Sequence, residues 1–358
     1  MKKYFFQIVA VLFLFLDCSK KDTNTGVITP TPVPIPVVDT VLYQMMPFSV
    51  GAAVNVTLMK SNTKYAGIVT KEYNSVTPEN AMKFASLHTA QNTYNYTDAD
   101  YLVSYAQLNS KRVHGHNLIW YTSLPTWVTS FVGDSAAWEN LMKTHIQTVV
   151  THFKGKLASW DVVNEDFDDN GVQRNSIWKQ KLGSDYVARC FQYAREADPS
   201  ALLFYNDYGH EYSAAKRTAI LNMINNFKTR GIPIDGIGMQ MHMTVNTSDA
   251  NITAAISNAA STGLKVHISE LDMRINPSAV QGVAYTLALG QQQATRYAYV
   301  VKTYNALPAS QKFGITTWNV TDADSWIPSW QGAPDWPLPF DASYNRKPAY
   351  ASIIAGAQ

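Results

Sequence analysis

The sequence predicts an α/β protein, a closed (β/α)8 TIM barrel that makes up a single catalytic domain. Two observations carry that expectation. Eight short apolar runs alternate with longer segments whose apolar residues recur at three- and four-residue steps, as strands and one-sided helices do. Polar residues also collect at the C-terminal ends of those runs, the end of a barrel strand where sites are built.

Read in order, the chain opens with Lys2 and Lys3, continues through an apolar stretch from Tyr4 to Leu16 broken only by Gln7, and reaches Cys18. Residues 1–17 are expected to be an export signal, because the stretch is short for a bilayer span and Ser19-Lys20-Lys21-Asp22 follows it. Cys18 resembles the lipidated first residue of a mature bacterial lipoprotein, although Asp17 departs from the small residue usual before it. The protein is therefore expected at the cell surface or in the periplasm, lipid-anchored at Cys18, or else secreted. Residues 18–40 read as a Thr/Pro-rich linker, stiff and extended from Thr29 to Pro36. Residues 41–358 form the expected catalytic domain, long enough for one large core, with no second boundary and no appended carbohydrate-binding module. With Cys18 lipidated, Cys190 has no partner, so no disulfide is expected.

Within that domain the predicted strands are Phe48–Val54, Tyr73–Thr77, Arg112–Trp120, Ala158–Asn164, Leu202–Asn206, Gly236–Met241, Lys265–Glu270 and Phe313–Asn319. Between the third and fourth, Trp138, Leu141, Met142, His145, Val149 and Phe153 recur at helical spacing. Tyr186, Val187, Cys190, Phe191 and Ala194 do the same after the fourth, which makes Cys190 a core residue, and Ile220, Leu221, Ile224 and Phe227 follow the fifth in a helix ending at Gly231.

Composition narrows the function. A net charge of +2 with 16% charged residues supplies no basic footprint, which argues against nucleic acid as a partner. Nine Trp and 12% aromatic residues suit the stacking of sugar faces on indoles, and equally an ordinary large core. The eight histidines do not fall at metal-ligand spacing with cysteine or carboxylate, so no metal site is expected; His114 and His116 read as packing and substrate residues.

Glu165 closes the run Ser159-Trp160-Asp161-Val162-Val163-Asn164-Glu165, and Glu270 closes Val266-His267-Ile268-Ser269-Glu270. Carboxylates at the ends of two different barrel strands can face each other across one glycosidic bond, one as proton donor and the other as nucleophile or base. The same strand ends carry Glu79-Asn80 and Lys83, His114 to Trp120, Gln240-Met241-His242, and Trp318 to Asp322. A lone His or Asn in a barrel is most often a satisfied structural group. Their shared location is what singles these out.

The runs Asn74-Ser75-Val76-Thr77-Pro78-Glu79-Asn80-Ala81-Met82-Lys83, Trp160 to Glu165, Asn206-Asp207-Tyr208, Gly236-Ile237-Gly238-Met239-Gln240-Met241-His242 and Ser269-Glu270-Leu271-Asp272 closely resemble glycoside hydrolase family 10. The resemblance extends from Phe48 to Tyr350 and includes Pro337 to Asp341 and Lys347 to Tyr350. It implies a cofactor-free, retaining endo-1,4-β-xylanase acting on xylan or xylo-oligosaccharides as a monomer. By motif position Glu165 is the acid/base, its pKa expected to be raised, and Glu270 the nucleophile, with the carboxyl groups about 5–5.5 Å apart as retention requires. His242 and the supporting Asp272 are expected to keep the nucleophile charged, and Asn164 to donate to the sugar 2-hydroxyl. Glu79, Asn80 and Lys83 are assigned to subsite −2, and His116, Trp120 and Gln240 to subsite −1. Tyr208 also touches substrate, while Trp318 and Trp326 floor and wall the glycone region, where an indole against C5 excludes glucose.

Three positions depart from the family pattern. Tyr121 and Ser123 stand where histidine and glutamine are usual, and Asn319 replaces a glycine. The shorter Ser123 is expected to weaken binding at −2, with Tyr121 filling that space or admitting a side-chain decoration. Two other readings remain: a retaining endo-β-1,4-glucanase on the same barrel, and a surface lipoprotein that only captures glycan.

Overall fold

The computed structural model describes residues 40–358; the signal, Cys18 and almost all of the linker lie outside them. Eight strands form the barrel: β1 (Val50–Val54), β2 (Ser75–Pro78), β3 (Arg112–Gly115), β4 (Ser159–Asn164), β5 (Leu202–Asp207), β6 (Gly236–Met239), β7 (Lys265–Arg274) and β8 (Lys312–Thr317). Each pairs in parallel with its neighbours in chain order. The ring closes where Val50 of β1 lies opposite Ile315 of β8.

Parallel strands covered on both faces must be apolar nearly throughout, and β1, β2, β4 and β6 are buried along their whole length. The barrel interior holds an aromatic and histidine layer. His114 and His267 meet edge to face at 4.7 Å, Phe204 and Phe313 pack at 4.6 Å, and the Arg112 guanidinium lies 3.8 Å from the Phe313 ring centre. His114 thus belongs to the packing.

The helices obey the sequence periodicity. Ser135–His152 buries Trp138, Leu141, Met142, His145 and Val149, and Phe153 caps it. Tyr186–Ala197 buries Cys190, whose thiol lies 3.4 Å from the Met142 sulfur. Ala214–Arg230 ends at Gly231, which takes a left-handed φ of 68°, as helix-terminating glycines do. Among the described residues no helix is long and apolar enough to cross a membrane.

Many predicted strand ends shift by one or two residues, three strands stop at least two residues early, and β7 runs on. The predicted run Arg112–Trp120 stops at Gly115, the His116–Asn117 peptide is cis, and Ile119–Trp120 resumes pairing with β4 only at Val163 and Asn164. The predicted Gly236–Met241 stops at Met239, since Met241 takes a left-handed φ of 59°. That turn carries His242–Thr244 into register with Asp272–Arg274, which lengthens β7 past Glu270. The predicted Phe313–Asn319 likewise ends at Thr317, with Asn319 at φ 78°.

The N-terminal seam is tied by one buried carboxylate. Glu72 accepts hydrogen bonds from the Leu42 N–H (2.9 Å), the Tyr350 hydroxyl (2.8 Å) and Arg346 (2.7 Å), which joins the first described residues to the last helix. Glu72→Ala leaves these donors short of a partner and is expected to lower stability by about 2–3 kcal/mol. A urea titration of residues 41–358 measures it; an unchanged midpoint counts against the seam.

Candidate active site

Residues after β2, β3, β4, β5, β6, β7 and β8 surround one cleft of about 650 Å³ at the C-terminal mouth of the barrel. Glu79, Asn80, Lys83, His116, Trp120, Asn164, Glu165, Tyr208, Gln240, His242, Glu270, Trp318 and Trp326 all line it. Asp272 lies behind them, fully buried.

The two glutamates come from the ends of β4 and β7, with β5 and β6 between them in the ring. Glu165 follows β4 in a left-handed conformation, φ 59°, with its N–H bonded to the Asn206 carbonyl at 2.9 Å. Strain of this kind, about 1–3 kcal/mol, is held only where the surroundings dictate it. A chain of amides joins the pair. Asn206 donates to Glu270 Oε1 at 2.7 Å and to Asn164 Oδ1 at 2.9 Å, while Asn164 donates to Glu165 Oε1 at 3.3 Å. Gln240 donates to Glu165 Oε1 at 2.9 Å and to Asn164 Oδ1 at 3.3 Å. With two donors on its oxygen, Asn164 must present its NH2 toward Glu165 and the cleft. Gly238 makes room for this arrangement, since a Cβ there would sit 2.2 Å from Asn206 Oδ1.

Glu270 is buried, which pushes its carboxyl up, yet the His242 hydrogen bond (3.3 Å) and the charges of His116 and His242 outweigh burial and hold it below the usual glutamate range. His242 shows the complementary balance. Burial lowers it, but Asp272, 2.9 Å from Nδ1, and Glu270 raise it well above an ordinary imidazole, so it stays an imidazolium. The Trp326 indole donates to the same Asp272 oxygen at 2.9 Å, which fixes the ring against the site.

At the β2 end, Lys83 donates to Asn80 at 2.9 Å and lies 5.3 Å from the Trp120 ring centre and 5.9 Å from that of Trp318. Burial lowers the Lys83 pKa and raises that of Glu79; Lys83 and Asn319 offset part of the latter. His116 is oriented by Asp161 at 2.9 Å and meets Trp318 edge to face at 5.1 Å. Asn319 occupies a left-handed position and accepts from the Trp326 N–H at 3.3 Å. Asparagine tolerates that backbone better than other residues with a Cβ, which accounts for its standing in place of a glycine.

Sequence reasoning quoted Asn206 and Ser269 in motifs but assigned them no role, and missed Lys216 and Arg174. Ser269 donates to Asn206 Oδ1 at 2.6 Å. The Lys216 ammonium lies 3.2 Å from the Tyr208 ring centre and 2.7 Å from Asp207, and Arg174 donates to the Tyr208 hydroxyl. Only the strand-end position of Asn206 and Ser269 could have flagged them. Tyr121 lines the cleft with the Arg174 guanidinium 4.7 Å over its ring and the Trp120 ring 6.0 Å away, and the Glu165 charge reaches its hydroxyl. Ser123 is not among the cleft-lining residues.

A closed parallel barrel with two buried glutamates facing one open cleft, one of them charge-stabilised and the other beside an amide donor, defines a barrel glycoside hydrolase. Glycosyl hydrolase family 10 matches residues 40–356, and the chain belongs to that family. It is 37% identical over 343 residues to endo-beta-1,4-xylanase Xyn10C of Cellvibrio japonicus, covering 87% of this chain and 57% of that one. It is 36% identical to endo-1,4-beta-xylanase A of Thermoanaerobacterium saccharolyticum, covering 86% of this chain and 27% of that one. Native xylanase 10B from Thermotoga maritima superposes with a TM-score of 0.83 at 34% identity, covering 89% of this chain and 98% of that one. The chain thus spans little more than half, or less, of the first two relatives' length, while matching nearly the whole of the third.

The ion pair beneath Glu270 keeps its carboxyl ionised to lower pH than burial alone would allow. Chemistry that uses Glu270 as a carboxylate is lost as pH drops through its depressed pKa. His242→Asn removes the imidazolium and leaves His116 and the Asn206 amide to oppose burial alone, so the acid limb of the kcat/KM profile is expected to move to higher pH. An unmoved limb would sink this assignment.

Proposed function

We propose that the protein is an endo-1,4-β-xylanase that hydrolyses internal β-1,4-xylosidic bonds of xylan with retention of anomeric configuration. The observation that carries this reading is the pairing of Glu165 with Glu270 through the Asn164–Asn206 amides, with His242 and Asp272 beneath Glu270. Glu270 attacks the anomeric carbon as a carboxylate while Glu165 gives its proton to the glycosidic oxygen. Glu165 then takes a proton from water as that water releases the sugar from Glu270. Asn164, its amide turned toward the cleft, donates to the 2-hydroxyl and strengthens that bond as charge develops.

Glu79, Asn80 and Lys83 hold the −2 sugar, and His116, Trp120 and Gln240 surround the −1 sugar. Trp318 forms the floor. Trp326, pinned by its bond to Asp272, cannot swing away, so it blocks a hydroxymethyl group at C5 and favours pentose over glucose. Xylanase 10B from Thermotoga petrophila, 34% identical with a TM-score of 0.83, was solved with xylobiose, which supports a xylan-derived substrate.

Reducing-sugar release by residues 41–358 on arabinoxylan and carboxymethylcellulose tests the reading. Cleavage of arabinoxylan is expected, reduced about 10²–10⁴-fold by Glu165→Ala and at least as much by Glu270→Ala. Activity confined to carboxymethylcellulose would make the protein a glucanase, and binding without release would make it a capture protein.

We further infer that Cys18 carries lipid and tethers the enzyme to a membrane through the Thr29–Pro36 spacer. The charged n-region, apolar core and following cysteine support this. Expressed in a Gram-negative host, the full chain is expected in the membrane fraction and Cys18→Ala in the soluble fraction; equal partitioning would refute the anchor.

A further inference from the structure

Glu211 is a buried carboxyl that the double displacement does not use. It is 2% exposed, yet it lines the cleft with Tyr208 and Tyr212. Among the described residues neither carboxyl oxygen meets a hydrogen-bonding partner apart from its own backbone N–H. Buried carboxylates in stable proteins are normally satisfied, because stranding one costs the full desolvation of the group. Here the open side is the cleft itself.

The barrel geometry tells which sugar would fill it. Glu165 and Glu270, from β4 and β7, flank the scissile bond. The cleft therefore runs across them, from the β2 end, where Glu79, Asn80 and Lys83 lie, to the β5–β6 end opposite. Glu211 follows β5, beyond the pair from Glu79, on the side where the leaving group sits. An exposed aromatic ring, Tyr212, 54% exposed, lines the same part of the cleft. Gly209 permits the Tyr212 placement, since a Cβ there would lie 3.0 Å from the ring. An exposed ring beside a buried acceptor is the ordinary making of a sugar site, the apolar face stacking while the acceptor takes a hydroxyl.

Resting on the xylanase reading above, we propose that Glu211 is a substrate-binding residue of the leaving-group side, accepting a hydroxyl of the xylose unit bound there, with Tyr212 supplying apolar contact. Burial pushes its carboxyl up to about 7, with His242 and Lys216 opposing. Either protonation state can bond a hydroxyl, so the subsite works across neutral pH.

The test compares two substrates. Xylopentaose places xylose on the leaving-group side, whereas para-nitrophenyl β-xylobioside places an aryl group without hydroxyls there. Glu211→Ala is expected to lower kcat/KM for xylopentaose at least about tenfold more than for the aryl glycoside, as loss of a buried charge-assisted hydrogen bond implies, and to shift the cleavage pattern of xylopentaose. Glu211→Gln, which retains an acceptor and the side-chain volume, is expected to recover much of the difference. Equal losses on both substrates, or a displaced pH profile with an unchanged ratio, would show Glu211 acting through His242 or through folding and overturn the proposal. A parent enzyme that neither cleaves nor, by calorimetry, binds xylopentaose overturns the xylanase reading and this subsite with it.

Discussion

The site depends on one side chain, the Asn206 amide. Its two N–H groups reach Asn164 on β4 and Glu270 on β7, and its oxygen accepts from Ser269. No other orientation satisfies all three partners, so the amide cannot rotate without leaving a buried donor or acceptor unpaired. Asn206 thereby relates two carboxyl groups that lie 105 residues apart in sequence (165 to 270). Such rigidity is what a double displacement needs, since nucleophile and proton donor must meet one bond in fixed geometry.

Charge is arranged around that amide in two layers. Beneath Glu270, the imidazolium of His242 is balanced by Asp272, so a carboxylate survives in a buried place that would otherwise favour its neutral form. The same Asp272 holds the Trp326 indole, so the group that secures the charge of Glu270 through His242 also positions a wall of the cleft. Across the cleft, Lys216 lies under Tyr208 and against Asp207, and Arg174 binds the Tyr208 hydroxyl. Rigid aromatic surfaces on both sides thus rest on buried ions, and binding need not pay the entropy of ordering them.

Much of this was legible in the sequence. Strand runs and the three-four spacing of Trp138, Leu141, Met142, His145 and Val149 reflect a physical period that any such barrel must obey. Strand limits were less legible at β3, β6 and β8, where the chain leaves the regular ladder at His116–Asn117, Met241 and Asn319. No local propensity announces a left-handed methionine; it is imposed by neighbours. Tyr121 illustrates the same limit, since its packing between Trp120 and Arg174 brings together segments far apart in sequence.

The sequence by itself determined the barrel, the strand-end location of Glu165 and Glu270, and the residues grouped around them, because periodicity and short motifs are local properties. Only the tertiary structure decided how those residues act on each other: that Asn206 bridges the pair, that Asp272 serves both His242 and Trp326, and that Glu211 faces the cleft unpartnered. Hydrogen bonds and desolvation depend on distance and burial in space, and a closed ring of strands brings together groups that sequence spacing keeps far apart.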